Sequence, residues 1–517
     1  VPDAAAPARG RHVVAGLVAA SATLGAAHLA AAVVDPRATP LTAVGDAFVD
    51  ITPAWLKDVA IAAFGVNDKA ALLVGMVVVL ALAASALGVL AASRPGVARA
   101  GVVAIGALGA AAAASRPGAG PLAVLPAVAG AAVGVLVLTW LTRRATGDRP
   151  RDGAGTTTGP DRRAFLGAAA LTTAAAVLAA AAGSAVSAVG RTVDAARDAL
   201  RLPRAARPAA AVPATASAAV PGLVPVVTPN DAFFRIDTAL AVPLVDPASW
   251  ELRVHGLVEQ EVRLPFEELL AADLVEAHVT LACVSNPVGG SLIGTARWLG
   301  LPVREVLGRA RPLPGADMVL STSADGFTAS TPLEVLLDDR DALLAVGMNG
   351  EPLPLQHGFP VRMVVPGLYG FVSATNWVVD LEVTRFADAQ AYWTVRGWSE
   401  RGPVKTSSRI EVPRPGTSLR SGRVAVGGTA WAQHTGITGV QVQVDDGPWQ
   451  DADLATEISV DTWRQWSWQW DATPGEHVLR VRAVDATGAI QTARRQDVVP
   501  DGATGLHEVR LTIAEGA

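Results

Sequence analysis

The sequence predicts a multi-domain chain: N-terminal transmembrane α-helices, then a mixed α+β domain, then a small C-terminal β-sandwich. Three observations carry this. Apolar runs of Ala, Val, Leu and Gly, each near membrane-spanning length, crowd the region before residue 190. Eleven of the thirteen tryptophans lie after residue 200, with Trp55 and Trp140 the exceptions. From Thr228 onward, short alternating segments are separated by Gly, Pro and Asn turns. Composition agrees, because only 17% of the 517 residues are charged and 51% are hydrophobic, against roughly 25% charged in ordinary soluble chains. The formal net charge of -5 gives no ground for a nucleic-acid partner. The single cysteine excludes an intramolecular disulfide, a CxxC redox pair and a cysteine-rich zinc site. The first residue is Val1 rather than Met, which points to a trimmed or misassigned start.

Taken in order, residues 1–145 form a four-helix transmembrane region, with runs at 12–34, 68–92, 97–115 and 119–142. Each approaches the roughly 20 apolar residues that cross the hydrocarbon core. The stretch 41–64 holds Asp46, Asp50, Pro53, Trp55, Lys57 and Asp58 and reads as interfacial. Residues 146–190 are a loop and a fifth run, Ala164 to Val189. The loop and its flanks carry Arg143, Arg144, Arg149, Arg151, Arg162 and Arg163, and are placed in the cytoplasm by the positive-inside rule. Arg9, Arg11, Arg94 and Arg99 agree; Arg116 is a minor conflict. Everything after residue 190 then lies on the extracytoplasmic face of the cell membrane. Asp161-Arg-Arg-Ala-Phe-Leu166 before an Ala-rich run is similar to a twin-arginine export signal, and equally fits a stop-transfer flank. The spans contain only His12 and His28, both on one run, so haem held between two helices is not expected. The helices read as an anchor in lipid.

Residues 191–225, rich in Ala, Pro and Arg, read as a linker, with a short amphipathic helix near Val193–Leu200. Residues 226–400 form the α+β domain. Strands are expected at Trp250–Gly256, Thr280–Cys283, Pro360–Pro366 and Trp377–Thr384, with helices near Pro265–Ala271 and Pro302–Gly308. No nucleotide-binding glycine motif stands at a strand-to-helix turn. Residues 401–517 form the sandwich, with strands at Val424–Trp431, Val440–Asp445, Trp463–Trp470, His477–Val484 and Val509–Ile513. Trp466, Trp468 and Trp470 share one strand face, either as a ligand platform or packed in the core.

The chemistry centres on Cys283, which ends a buried strand before a loop of small residues. The residues alone leave three readings open: a small buried hydrophobe, a nucleophile, or a thiolate ligand to a soft metal.

Several ordered motifs go further. Thr280-Leu-Ala-Cys-Val-Ser-Asn-Pro-Val-Gly-Gly290 is followed by Gly294-Thr-Ala-Arg-Trp-Leu-Gly-Leu-Pro-Val-Arg-Glu-Val-Leu307. Val346-Gly-Met-Asn-Gly-Glu-Pro-Leu-Pro354 and His357-Gly-Phe-Pro-Val-Arg-Met-Val-Val-Pro-Gly-Leu-Tyr-Gly370 come next, and Thr228-Pro-Asn-Asp-Ala-Phe-Phe-Arg235 precedes them. Over about residues 225–500 this resembles the sulfite oxidase family of molybdopterin-dependent oxidoreductases, in its actinobacterial membrane-tethered form. The resemblance implies a molybdopterin-binding α+β domain of sulfite oxidase type, an immunoglobulin-like C-terminal sandwich of the kind that dimerises, and a molybdenum-molybdopterin cofactor. It leaves a homodimer open.

The resemblance also implies that Cys283 is the protein thiolate on molybdenum. His357 and Arg362 match positions that hold the pterin phosphate region, and Arg suits that task because its fork meets phosphate bidentately. Tyr369, Ser373 and Thr375 fall in the loop over the cofactor. Asn230, Phe234 and Arg235 approach it from the other side. Arg235, Arg297 and Phe327 join Cys283 as candidate catalytic positions. The chain departs from sulfite-oxidising relatives where Pro287 replaces an arginine, Phe327 a tyrosine and Asn376 a lysine. The first two changes remove a charge and a donor suited to a dianion. The implied activity is oxygen-atom transfer on a small substrate, with electrons exchanged with a separate carrier. The alternatives are a sulfoxide-type reductase and a non-catalytic binding protein on the same scaffold.

Overall fold

The computed structural model describes residues 6–34, 38–52, 56, 63–64, 68–116, 119–146, 162–186, 188–239 and 242–515. The residues Pro53, Trp55, Lys57 and Asp58 of the interfacial segment, Arg149 and Arg151 of the basic loop, and Asp161 of the export motif lie outside these. The chain divides into two compact units, Val1–Arg191 with Thr238–Val242, and Thr192–Asp237 with Pro243–Ala517.

The first unit is helical. Among the described residues, five helices are long and apolar enough to cross a membrane, within Ala6–Val34, Asp68–Ser93, Pro95–Ala114, Leu125–Thr146 and Arg162–Val186. A shorter helix, Pro40–Ile51, lies in the segment read as interfacial. Hydroxyls within the long helices donate to carbonyls one turn back, as Thr23 does to Ala19 and Thr142 to Leu138. These hydroxyls are therefore satisfied within their own helices, as an apolar solvent requires. Contacts between helices use small residues. A Cβ on Gly16 would stand 2.0 Å from the Ala84 carbonyl oxygen, and one on Gly88 would stand 2.1 Å from that of His12. Only glycine allows this backbone approach.

The second unit begins with two sheets, one mixed and one antiparallel. Its strands are β1 (Glu251–Gly256), β2 (Val262–Pro265), β3 (Val275–Ala282), β4 (Ile293–Pro302), β5 (Met318–Ser323), β6 (Thr328–Pro332), β7 (Leu343–Met348), β8 (Glu351–Pro352), β9 (Arg362–Val364) and β10 (Val378–Thr384). One sheet has the order β2-β1-β10-β5-β6; the other has β3-β4-β7-β8, with β9 also on β7. Only β1 and β10 pair in parallel. The strands β2, β4 and β6 each end in proline, at 265, 302 and 332, and a short helix starts at the next residue. Proline offers no N–H to extend a strand, and at a helix start that missing donor costs nothing. The first helical residue, Phe266, Val303 or Leu333, is buried each time. β3 is buried along nearly its whole length because β4 and the C-terminal region cover it.

Residues 200–228, whose composition reads as a linker, instead run along this unit. Ala206 N–H donates to Leu274 O at 2.8 Å, Val224 N–H to Glu411 at 3.0 Å, and Gln465 clamps Ala218 and Val224 at 2.9 and 2.7 Å. The preceding helix, Ala188–Ala199, reaches the same unit through Arg197, which donates to Leu353 O and Pro352 O.

The C-terminal part is β-rich. One sheet holds Ser407–Val412, Gly422–Trp431, Arg464–Ala472 and Asp453–Leu454 in that order. The other holds Leu419–Arg420, His507–Ala514, Gly475–Asp485, Ile437–Val444 and Gln450–Asp451. Val426, Val442, Leu479 and Leu511 fill the core between them. Trp466 and Trp470 are buried there and Trp468 packs against them, so these indoles belong to the core rather than to a ligand platform.

Candidate functional site

Cys283 follows directly on β3, and the β3–β4 connection is tied into a tight turn around it. Its N–H donates to Leu292 O at 2.9 Å, and its carbonyl accepts from Asn286 N–H at 3.1 Å. Asn286 Oδ1 takes the Leu292 N–H at 2.9 Å, and Gly290 N–H reaches Pro287 O at 2.8 Å. The thiol is half-buried. Burial pushes its pKa up, while hydrogen bonds from Ser285 favour the thiolate.

The loop after β9 meets this turn. Gly370 lies over the Ala282 carbonyl, and Met363 N–H donates to Thr375 O at 2.9 Å. Arg362 on β9 is thereby tied to the loop facing Cys283. Within the loop, Ser373 Oγ donates to Tyr369 O at 2.9 Å, and Thr375 Oγ1 bonds Ser321 Oγ at 2.7 Å. Both hydroxyls are buried and set the shape of the loop. Burial pushes the Tyr369 phenol up to about 12, with the negative charges of Asp501 and Cys283 adding to it, so the phenol stays protonated.

A second cluster surrounds Arg362. The guanidinium is buried, and among the described residues no carboxylate lies within ion-pair distance. Its protein partners are His357 O at 3.2 Å, Met363 O at 3.4 Å and the Trp298 ring, whose centroid is 5.0 Å away. Burial draws its pKa down to about 10. His357, also buried, donates Nε2–H to the Asn230 carbonyl at 3.2 Å. Burial, with Arg362 nearby, holds the imidazole at about 4, so it is neutral. Asn376 Oδ1 adjoins the same corner at Gly358 and is buried without a hydrogen-bond partner. A buried cation without an anion and an orphaned amide oxygen are each costly. The guanidinium fits an anionic group, and the amide oxygen, an acceptor, fits a donor on the same ligand.

The motif at Thr228–Arg235 supports this cluster rather than lining it evenly. Asn230 Oδ1 accepts from Asn349 Nδ2 at 2.8 Å, while Asn349 Oδ1 takes the Arg297 N–H at 2.9 Å. Phe233 is wedged edge-on against Trp298 and His357, and Phe234 stacks on it at 5.2 Å. Arg235 ion-pairs with Asp237.

The remaining sequence candidates have partners of their own. Arg297 pairs with Glu276 at 3.5 Å and sits on β4 opposite His278. Ile293, opposite Ala282, is four residues away, about 14 Å along an extended strand. Phe327 lies in the β5–β6 turn, its ring 5.7 Å from that of Tyr392. Sequence reasoning missed Phe233, Asn286, Asn349 and Trp298 as supports. Their signal was present in the quoted motifs, but only tertiary contacts reveal their partners.

Comparison with known proteins identifies the domain. The family model described as "Oxidoreductase molybdopterin binding domain" matches residues 239–393. The mitochondrial sulfite oxidase of Rattus norvegicus is 31% identical over 288 residues, covering 47% of this chain and 52% of that protein. The Homo sapiens enzyme is 31% identical over 310 residues, covering 50% and 56%. An uncharacterized oxidoreductase, YuiH, of Bacillus subtilis is 32% identical over 165 residues, or 32% of this chain and 80% of its own length. In structure, the sulfane dehydrogenase SoxCD from Paracoccus pantotrophus superposes with a TM-score of 0.50 at 23% identity, over 57% of this chain and 84% of that chain. That likeness shows the fold. The chain spans about half the length of the sulfite oxidases it matches. A molybdenum-molybdopterin cofactor is the group such a domain takes; a lone thiolate suits its metal, and a guanidinium without a counter-ion among the described residues suits its anionic tail. By motif, by family model and by a relative matched over four-fifths of its length, the chain belongs to the sulfite oxidase family of molybdopterin-binding oxidoreductases.

Proposed function

We propose that this chain is a membrane-anchored oxidoreductase that transfers an oxygen atom to or from a small substrate at Cys283, exchanging electrons with a separate carrier. The observation that carries the reading is the single cysteine on the β3–β4 turn together with Arg362, which is buried and has no carboxylate within ion-pair distance among the described residues. When bound, the cofactor supplies the two-electron redox change and the site of oxygen exchange. Cys283 would hold its metal and Arg362 its anionic tail, while Asn376 Oδ1 would accept from a donor on the same group. His357 orients the Asn230 segment as a neutral donor. Tyr369 keeps its proton through the neutral range. Asn230, Phe234, Ser373 and Thr375 shape the walls.

A reductase of a neutral oxide, such as a sulfoxide, is the same reaction reversed. A specific observation favours it: Arg235 and Arg297 are each paired with a carboxylate, and Pro287 and Phe327 bring no charge to the turn. A sulfite dianion would lack the paired donors it needs. The helices long enough to cross a membrane support anchoring, and the arginine distribution supports a catalytic unit on the extracytoplasmic face. Arg162 and Arg163 open the last such helix, consistent with a twin-arginine route. The two C-terminal sheets enclosing one core support an immunoglobulin-like sandwich, open to homodimer formation.

Metal analysis of the full-length protein, followed by steady-state assays with sulfite and with methionine sulfoxide using artificial carriers, tests the proposal. Stoichiometric molybdenum and turnover of one substrate are expected. A metal-free wild-type protein would leave the non-catalytic binding reading in its place.

A further inference from the structure

The turn that carries Cys283 is closed from outside by two side chains of the C-terminal β-region. Arg409, on strand Ser407–Val412, donates Nη1–H to Gly290 O at 2.8 Å. Its charge is already matched: Nη2 lies 2.7 Å from Glu411 Oε1, and both side chains are almost wholly buried. Glu411 is itself held by Thr429 at 3.0 Å and by Val224 N–H at 3.0 Å. Arg409 also lies 5.5 Å from the Trp463 ring centroid. Such a buried, paired arginine has one geometry open to it, and that geometry points a donor at the cysteine turn.

His507, on strand His507–Ala514, closes the other side. Its Nδ1 accepts the Ile410 N–H at 3.0 Å, which fixes the ring. The far edge of the ring meets Gly289, where a Cβ would stand 2.2 Å from Cδ2 and 2.3 Å from Nε2. Gly289 has φ of +78°, a conformation that side-chain-bearing residues rarely adopt. Nothing in the catalytic reading uses Arg409 or His507. Both nonetheless converge on the backbone between Cys283 and β4.

We infer that Arg409 and His507 are positioning residues for Cys283, fixing Gly289-Gly290 so that the thiol is held in its ligating direction. The C-terminal β-region is then a structural part of the catalytic centre. The inference rests on the reading of Cys283 as the metal ligand.

Because Cys283 is the only cysteine, iodoacetamide alkylation of the full-length protein in detergent reports on this thiol alone. Molybdenum content of the same preparations is measured beside it. R409M removes the donor to Gly290, whereas R409K keeps a charge and a donor. R409M is expected to alkylate about tenfold faster than wild type and to retain less molybdenum, with R409K recovering toward wild type in both readouts. H507A, which takes the ring away from Gly289 and leaves Arg409 intact, is expected to act likewise. If R409M does not fold, H507A decides the question. Alkylation and molybdenum unchanged from wild type in R409M and H507A would overturn the inference. A wild-type protein without molybdenum whose R409M and R409K variants still separate in alkylation would remove the cofactor reading and leave the clamp standing.

Discussion

In the helical unit Val79, Leu82, Leu136 and Leu178 stand 65%, 66%, 69% and 69% exposed, while the polar hydroxyls are satisfied inside their own helices. In the unit that carries Cys283 the apolar side chains are buried, and the groups needing explanation are buried polar ones: Arg362, His357 and Asn376. The first arrangement suits a lipid solvent, where apolar exposure costs nothing and close backbone packing holds helices together. The second suits water outside and a polar ligand inside. The contrast separates anchor from chemistry, and each prediction below presses on one side of it.

The largest effect is expected at the thiol. C283S should reduce oxygen-transfer activity to background while circular dichroism and thermal midpoint stay near wild type; retained activity would detach the chemistry from this residue. Next is R362M, where the sign of the effect depends on the ligand. Removing an uncompensated buried cation should leave the cofactor-free protein as stable or more so, by about 1–4 kcal/mol. Cofactor retention should fall at least about a hundredfold, because an anion is left without its partner. Equal destabilisation in both states would make Arg362 merely structural.

The third prediction concerns pH. The folded His357 pKa is lowered to about 4 by burial and by Arg362, so the unfolded chain binds the proton more readily. The stability it contributes is complete above the unfolded pKa near 6.5 and is lost as pH falls through 6.5 toward 4, about 3 kcal/mol in all. Thermal midpoints of wild type and H357Q across that window should diverge in slope, with the variant flatter; parallel curves would assign the acid sensitivity elsewhere. The smallest effect tests the helical side. G16L inserts a side chain where a Cβ already meets the Ala84 carbonyl at 2.0 Å, and should cost about 1–3 kcal/mol of helix association. Molybdenum content should not change. A matching loss of metal would mean that the division between anchor and chemistry is false.

How much of this was legible beforehand differs by element. The apolar runs read directly, because spanning length and a lack of charge are local properties of the chain. The strands Glu251–Gly256 and Val378–Thr384 were equally plain, since alternation marks a half-covered sheet. β3 was read short, at Thr280–Cys283 against Val275–Ala282. Burial on both faces erases the alternation that would mark its start. At the site, the motif order around Cys283, His357 and Arg362 was visible, whereas the directions of Arg235 and Arg297 were not. Both residues sit in the quoted motifs, yet their guanidinium groups turn to Asp237 and Glu276. Ion pairing across the fold, not position in a motif, decides where such side chains point.

The sequence alone determined that this chain has an apolar helical half, a sulfite-oxidase-type domain and one thiol, because hydropathy, motif order and a residue count need no third dimension. Only the tertiary structure decided that Arg362 has no counter-ion among the described residues, that residues 200–228 run along the second unit instead of dangling, and that Arg409 and His507 close the turn of a cysteine more than a hundred residues earlier in the chain. Each of these is a contact between distant segments, and its energy depends on which buried group finds a partner.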